Sequence, residues 1–155
     1  MPIYSSLDPA GLIKPMGTSG AVGNQLICDG SAVLRASYPR LFAAIGTNFG
    51  IGDGSTTFNL PDIRGTFPRG QNLGSGNDPD AASRTNPNSG ATGDAVGSYQ
   101  GHDFLSHVHG ILLHGNPGIG GVGAFLTAVT STTTNAAGGN ETRPINVYTL
   151  YVITY

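Results

Sequence analysis

At 155 residues the chain has room for one domain with an appendage, which excludes two large independent domains. Only 10% of its residues are charged where about 25% is usual, and 25 Gly and 10 Pro favour turns over helices. A net charge of -2 with 38% apolar residues argues against global disorder, and seven cations scattered among nine acids exclude a basic stripe for nucleic acid.

Cys28 stands alone, so an intrachain disulfide and a paired-cysteine metal site are both excluded. The opening Met1-Pro2-Ile3-Tyr4 lacks a basic start and an apolar run, and no later stretch approaches membrane-spanning length. The expectation is a soluble chain without an export signal or membrane insertion.

In chain order, Gln25-Leu26-Ile27-Cys28 running into Asp29-Gly30 predicts a strand and then a turn. The one helix follows, with Ser37 as N-cap, Pro39 in the first turn, Leu41-Phe42-Ala43-Ala44-Ile45 as its body and Gly46 as its stop. Asp53-Gly54 turns the chain into an extended segment in which Phe58 and Leu60 alternate with polar neighbours. Residues 71–97 lose nearly all apolar content, which predicts a long surface excursion of irregular backbone. Order is expected to return over 99–114 and to give way again over 115–140. The β-branched and aromatic run Ile145-Asn146-Val147-Tyr148-Thr149-Leu150-Tyr151-Val152-Ile153-Thr154-Tyr155 predicts a buried terminal strand, with something packed over it.

All four histidines fall between 102 and 114. On a strand His107 and His109 project from one face about 7 Å apart, where two imidazoles can share a cation. One chain offers too few nitrogens to close a site, but three chains around an axis would supply six, an octahedral set that favours Fe(II) or Ni over zinc. Such a saturated site clamps and does not catalyse. Two surface or stacking histidines satisfy the same spacing. His102 and His114 lie an odd number of residues away and face opposite to the pair.

A catalytic reading would assemble His102, Asp103, Ser106 and His107, but no nucleophile elbow precedes them. Asp53 and Asp62 could suggest a glycosidase pair. A tight turn at Asp53 and an ion pair or backbone bond between Asp62 and Arg64 explain them better. Gly118-Ile119-Gly120-Gly121 lacks the Lys-Ser/Thr of a phosphate loop. The chain is therefore expected not to be an enzyme.

Three blocks then stand in order: Cys28-Asp29-Gly30-Ser31, Tyr38-Pro39-Arg40-Leu41-Phe42-Ala43-Ala44-Ile45-Gly46, and Gly52-Asp53-Gly54-Ser55-Thr56-Thr57-Phe58-Asn59-Leu60-Pro61-Asp62-Ile63-Arg64-Gly65. With these the sequence resembles the phage tail collar family. Ser106-His107-Val108-His109-Gly110 is similar to that family's histidine block, and Glu141-Thr142-Arg143-Pro144-Ile145-Asn146-Val147 is similar to the C-termini of tail fibre proteins. Asn24-Gln25 stands where the family commonly has Gly-Trp. The resemblance implies a homotrimeric fibre component, with His107 and His109 of three chains holding iron or zinc on the threefold axis.

The expected architecture is mainly β with one short helix: a collar-like part over 1–70 and an extended, interwoven, trimeric and glycine-rich distal part over 71–155 that includes the C-terminal strand. The expected function is a tail fibre receptor-binding tip of the virion tail, made in the host cytoplasm, that adheres to a bacterial surface glycan or protein. Its metal would be Fe(II) first, with Zn or Ni as alternatives. Candidate receptor contacts are Tyr99, His114, Asn116, Phe125 and Asn135. The alternatives are a purely structural collar or baseplate assembly protein, joined to other tail proteins, and a bacterial lectin-like or injection-system fibre component.

Overall fold

The structure is a computed structural model that describes residues 8–103 and 144–155. In chain order its elements are β1 (Ile13–Met16), β2 (Gln25–Ile27), β3 (Ala32–Leu34), α1 (Pro39–Ile45), β4 (Thr57–Asn59), a 3-10 turn (Ala81–Ser83) and β5 (Leu150–Thr154). The described residues are mainly β with one short helix, as the sequence pattern predicts.

β5 is the middle strand of an antiparallel sheet ordered β1-β5-β2. Ile153 stands opposite Ile13 on one side and Leu26 on the other. A strand bonded along both edges and covered on both faces should be largely apolar; Val152 and Ile153 are fully buried, and so is Thr154, whose hydroxyl finds no partner among the described residues. The sequence reading grouped this strand with the distal region; in the structure it pairs with residues 13–16 and 25–27. Residues up to Gly101 and from Val147 onward belong to one compact unit.

The free edge of β1 is blunted by sequence. Thr154 N donates to Leu12 O at 3.0 Å, and the antiparallel alternation then turns Lys14 and Met16 toward β5 and Pro15 outward. Proline has no N–H to offer a further strand, which discourages pairing along that edge.

β3 and β4 make a second, two-stranded antiparallel ladder, with Val33 opposite Phe58. Between them α1 turns Leu41 and Ile45 inward, four residues apart on one helical face. Leu41 and Phe58 have no exposed surface and, with Cys28, Leu60, Ile45 and Ile153, form the core. Burying each such side chain contributes on the order of 1.5–3 kcal/mol. The Phe42 and Phe58 rings meet at 5.2 Å, and the Arg35 guanidinium lies 4.6 Å from the centre of the Phe42 ring. At the helix start the expected cap is corrected. Tyr38 occupies the N-cap and no side chain caps the helix, while Pro39 sits at N1, where its missing N–H forfeits no helical bond. Gly46 ends the helix as expected, its N–H donating to Phe42 O at 2.8 Å.

Candidate functional site

The carboxylates of the collar turns are committed locally. Asp53 Oδ1 accepts the N–H groups of Ser55, Thr56 and Thr57 at 2.9, 2.7 and 2.9 Å. Its Oδ2 accepts the Thr56 hydroxyl. The Thr56 hydroxyl and then the Thr57, Ser55 and Thr56 N–H groups hold this carboxyl well below the usual range. Asp62 takes a two-pronged bond from Arg64, Nε at 2.9 Å and Nη2 at 2.7 Å, and that pairing lowers its pKa. Neither carboxyl moves toward the neutral range that a general acid needs. The Cys28 thiol is pushed up to about 12 by burial and by the charges of Asp29 and Asp62. It remains a protonated core group at neutral pH.

The excursion after residue 70 is irregular as expected, yet firmly bonded. Asp94 Oδ1 accepts Asn72 N at 3.1 Å and Leu73 N at 3.3 Å, while Oδ2 accepts Gly74 N at 3.0 Å. Leu73, at φ 49, is one of two non-glycine residues in the left-handed region among those described. Its backbone curls around the Asp94 carboxylate while its side chain is exposed. Arg84, largely buried, spans the excursion. It donates from Nε to Ser98 Oγ at 3.0 Å, from Nη2 to Ser98 O at 3.1 Å and from Nη1 to Gln100 Oε1 at 2.9 Å, and it approaches the buried Asp78 at 3.5 Å. The excursion also grips the collar core. Asn48 O accepts Ala91 N at 2.8 Å and Asn86 Nδ2 at 3.4 Å. A Cβ on Gly90 or Gly97 would lie only 2.4 or 2.3 Å from Asn48 O, so glycine is obligatory for that approach.

Tyr99 is the one candidate receptor contact within the described residues. It is 46% exposed and paired with Thr85 through an isolated antiparallel bridge, so a rigid backbone presents its ring. His107, His109, His114, Asn116, Phe125 and Asn135 lie outside the described residues. Among the described residues no group of three or more His, Cys, Asp and Glu could hold a metal, and no helix is long and apolar enough to cross a membrane.

A cleft that sequence reading missed lies beside the helix start. Asn24, Ser37, Tyr38, Pro39, Arg40, Leu41 and Tyr155 line an open depression of about 360 Å³. The Tyr38 and Tyr155 rings meet edge to face, 4.9 Å apart at 75°. Tyr155 N donates to Asn24 O at 3.1 Å, which fixes one wall to the other. Residues from three distant stretches build this cleft, and no local pattern in the chain marks it.

Residues 11–68 match the model of the phage tail collar domain. That span contains both sheets' N-terminal strands, α1 and the Asp53 turn. The chain is also similar to protein RhiB of Rhizobium leguminosarum bv. viciae, with 35% identity over 138 residues, 84% of this chain and 63% of RhiB. It thus spans less than two thirds of the length of that relative.

Proposed function

We propose that this chain, which carries a phage tail collar domain in residues 11–68 and is of the tail-fibre type, works as a homotrimeric receptor-binding tip that recognises a bacterial surface glycan or protein during adsorption. The observation that carries the trimer is the stretch just before β5. Val147 is 84% exposed and Tyr148 91% exposed in the single chain, where their composition belongs in an interior. Further copies of the chain would cover them, and a surface with so few charges suits such packing. The excursion that ends at Tyr99 supports recognition, because its hydrogen-bonded frame holds polar and aromatic groups out to solvent at little further ordering cost. Threefold display would convert weak single contacts into avid attachment.

His107 and His109 of three chains would hold one structural metal on the axis, Fe(II) first and Zn or Ni as alternatives. The donor chemistry fits, since neutral imidazoles suit these ions. When bound, the ion would crosslink the chains. Light scattering with elemental analysis on one sample tests this: the expectation is a trimer with about one transition metal per three chains. His107→Ala with His109→Ala should lose the metal and lower the melting temperature. A monomer, or a metal-free protein indifferent to both substitutions, overturns the pinned trimer. Binding of the purified protein to bacterial cells tests the receptor role, and its absence leaves a structural collar or assembly protein.

A second reading has its own support in RhiB, a protein of a bacterium. Under it the chain is a bacterial lectin-like or injection-system component. Coding genes for tail and sheath proteins flanking this one would favour a virion or an injection machine, and an isolated gene would favour the lectin.

A further inference from the structure

We infer that the outer edge of β2 takes a further strand, and that this strand is Val147-Tyr148-Thr149 of a second copy of the chain. The inference rests on the trimer reading and says how the copies meet. Cys28 N donates to Tyr151 O at 2.9 Å, and Leu26 stands opposite Ile153 in the same register, so both turn their backbone groups toward β5. Antiparallel alternation then points the Gln25 and Ile27 N–H groups and the Gln25 carbonyl away from the sheet. Asp29 N takes the Ile27 carbonyl at 3.0 Å, whereas among the described residues no hydrogen bond engages those three groups. All of β2 is only half-buried.

The other described strand edges are closed by proline or by a neighbouring segment. Pro15 blunts β1. On β3 the turn into α1 folds back on Leu34, whose O accepts Ser37 N at 3.2 Å and Tyr38 N at 3.3 Å. On β4, Asn59 N donates to Gly50 O at 3.1 Å, and Arg35 Nε donates to Thr57 O at 3.0 Å. β2 is left, and Gln25, Leu26 and Ile27 place no charge on its edge to turn a strand away.

Exposure and reach select the occupant. Val147 and Tyr148 are 84% and 91% exposed, and with Thr149 they make an uncharged segment of strand-forming residues. The segment leads straight into Leu150, which stands opposite Met16 in the ladder with β1. A strand added to β2 would lie two strand spacings, about 10 Å, from β5. Three extended residues span at most about 10 Å. Within their own chain they would use their whole length in crossing and could not pair, so the donor is another copy. Such a head-to-tail contact closes into a ring when repeated around an axis. The sheet of one chain stands without the added strand, which fastens neighbours together.

Amide hydrogen exchange on the full chain tests this residue by residue. The Gln25 and Ile27 amides should exchange at least about tenfold more slowly in the oligomer than in Val147→Asp with Tyr148→Asp, while Leu26 and Cys28 stay slow in both. Ile27→Pro, which removes an outward N–H and no ladder bond, should raise the concentration at which copies separate by about tenfold or more and keep the near-UV circular dichroism of the fold. An oligomer whose Gln25 and Ile27 amides exchange as fast as in the double variant overturns the inference and keeps the trimer. Protection of both amides in a monomer also overturns it, because the chain would then cover its own edge. A chain that is monomeric at every concentration removes the trimer and the inference with it.

Discussion

Cys28 shows how much one buried group depends on its neighbours. Its side chain is only 2% exposed, and Asp29 and Asp62 pair through an isolated antiparallel bridge beside it. Burial and those two charges push the thiol up to about 12 from its ordinary 9.0. A folded-state pKa raised in this way gives stability that is fully present below about 9 and lost as pH climbs toward 12, because the unfolded chain releases the proton first. Two outcomes follow. In the native protein at pH 8, alkylation by iodoacetamide should run about a thousandfold slower than in urea, the ratio of thiolate populations. Unfolding midpoints of wild type should also fall more steeply above pH 9 than those of Cys28→Ala, and parallel curves would show that the thiol does not set the slope.

Among the elements, the excursion is the one whose character the sequence both revealed and concealed. Its Gly, Asn and Ser content made irregular backbone legible, since no apolar period survives there. The partners stayed hidden, because the Asp94 cradle and the Arg84 brace join residues about 20 apart through polar bonds that leave no periodic trace. The core was easier: Leu41, Phe58 and the β5 run follow helical or strand spacing, and the structure buries each of them. The helix cap was misjudged by one residue: proline fits N1 with its fixed φ, which puts Tyr38 and not Ser37 at the N-cap. The brace gives an element-level prediction. Arg84→Gln removes the bonds to Ser98 and Gln100 and weakens the pairing of buried Asp78, which keeps only Arg69 at 3.5 Å. Amide exchange over 71–101 should rise at least tenfold while α1 and β5 stay protected. Gly97→Ala should act on the same region by a different route, driving a methyl into Asn48 O at a cost of about 2 kcal/mol or more. Unchanged exchange in both variants would mean that the collar holds the excursion by other contacts.

For the whole molecule, what one chain leaves uncovered matters more than what it buries. β5 is saturated on both edges by β1 and β2, so the collar unit needs no second copy to complete its sheet. The residues leading into β5 are different: Val147 and Tyr148 carry strand-forming side chains into solvent, a few residues before Val152, Ile153 and Thr154 are fully buried. The proposed trimer rests on this contrast and not on composition alone. Sequence pattern marked the whole run as buried but could not divide it between intrachain and interchain contact, since both demand the same apolar residues. A charge placed in a seam must be desolvated, whereas at an exposed site it costs almost nothing. If the proposed trimer forms through this stretch, Val147→Asp with Tyr148→Asp should give monomers by light scattering and leave the collar's own unfolding transition within about 0.5 kcal/mol. A trimer that survives both charges would move the seam elsewhere, while a collar that unfolds with them would mean the pair packs within its own chain.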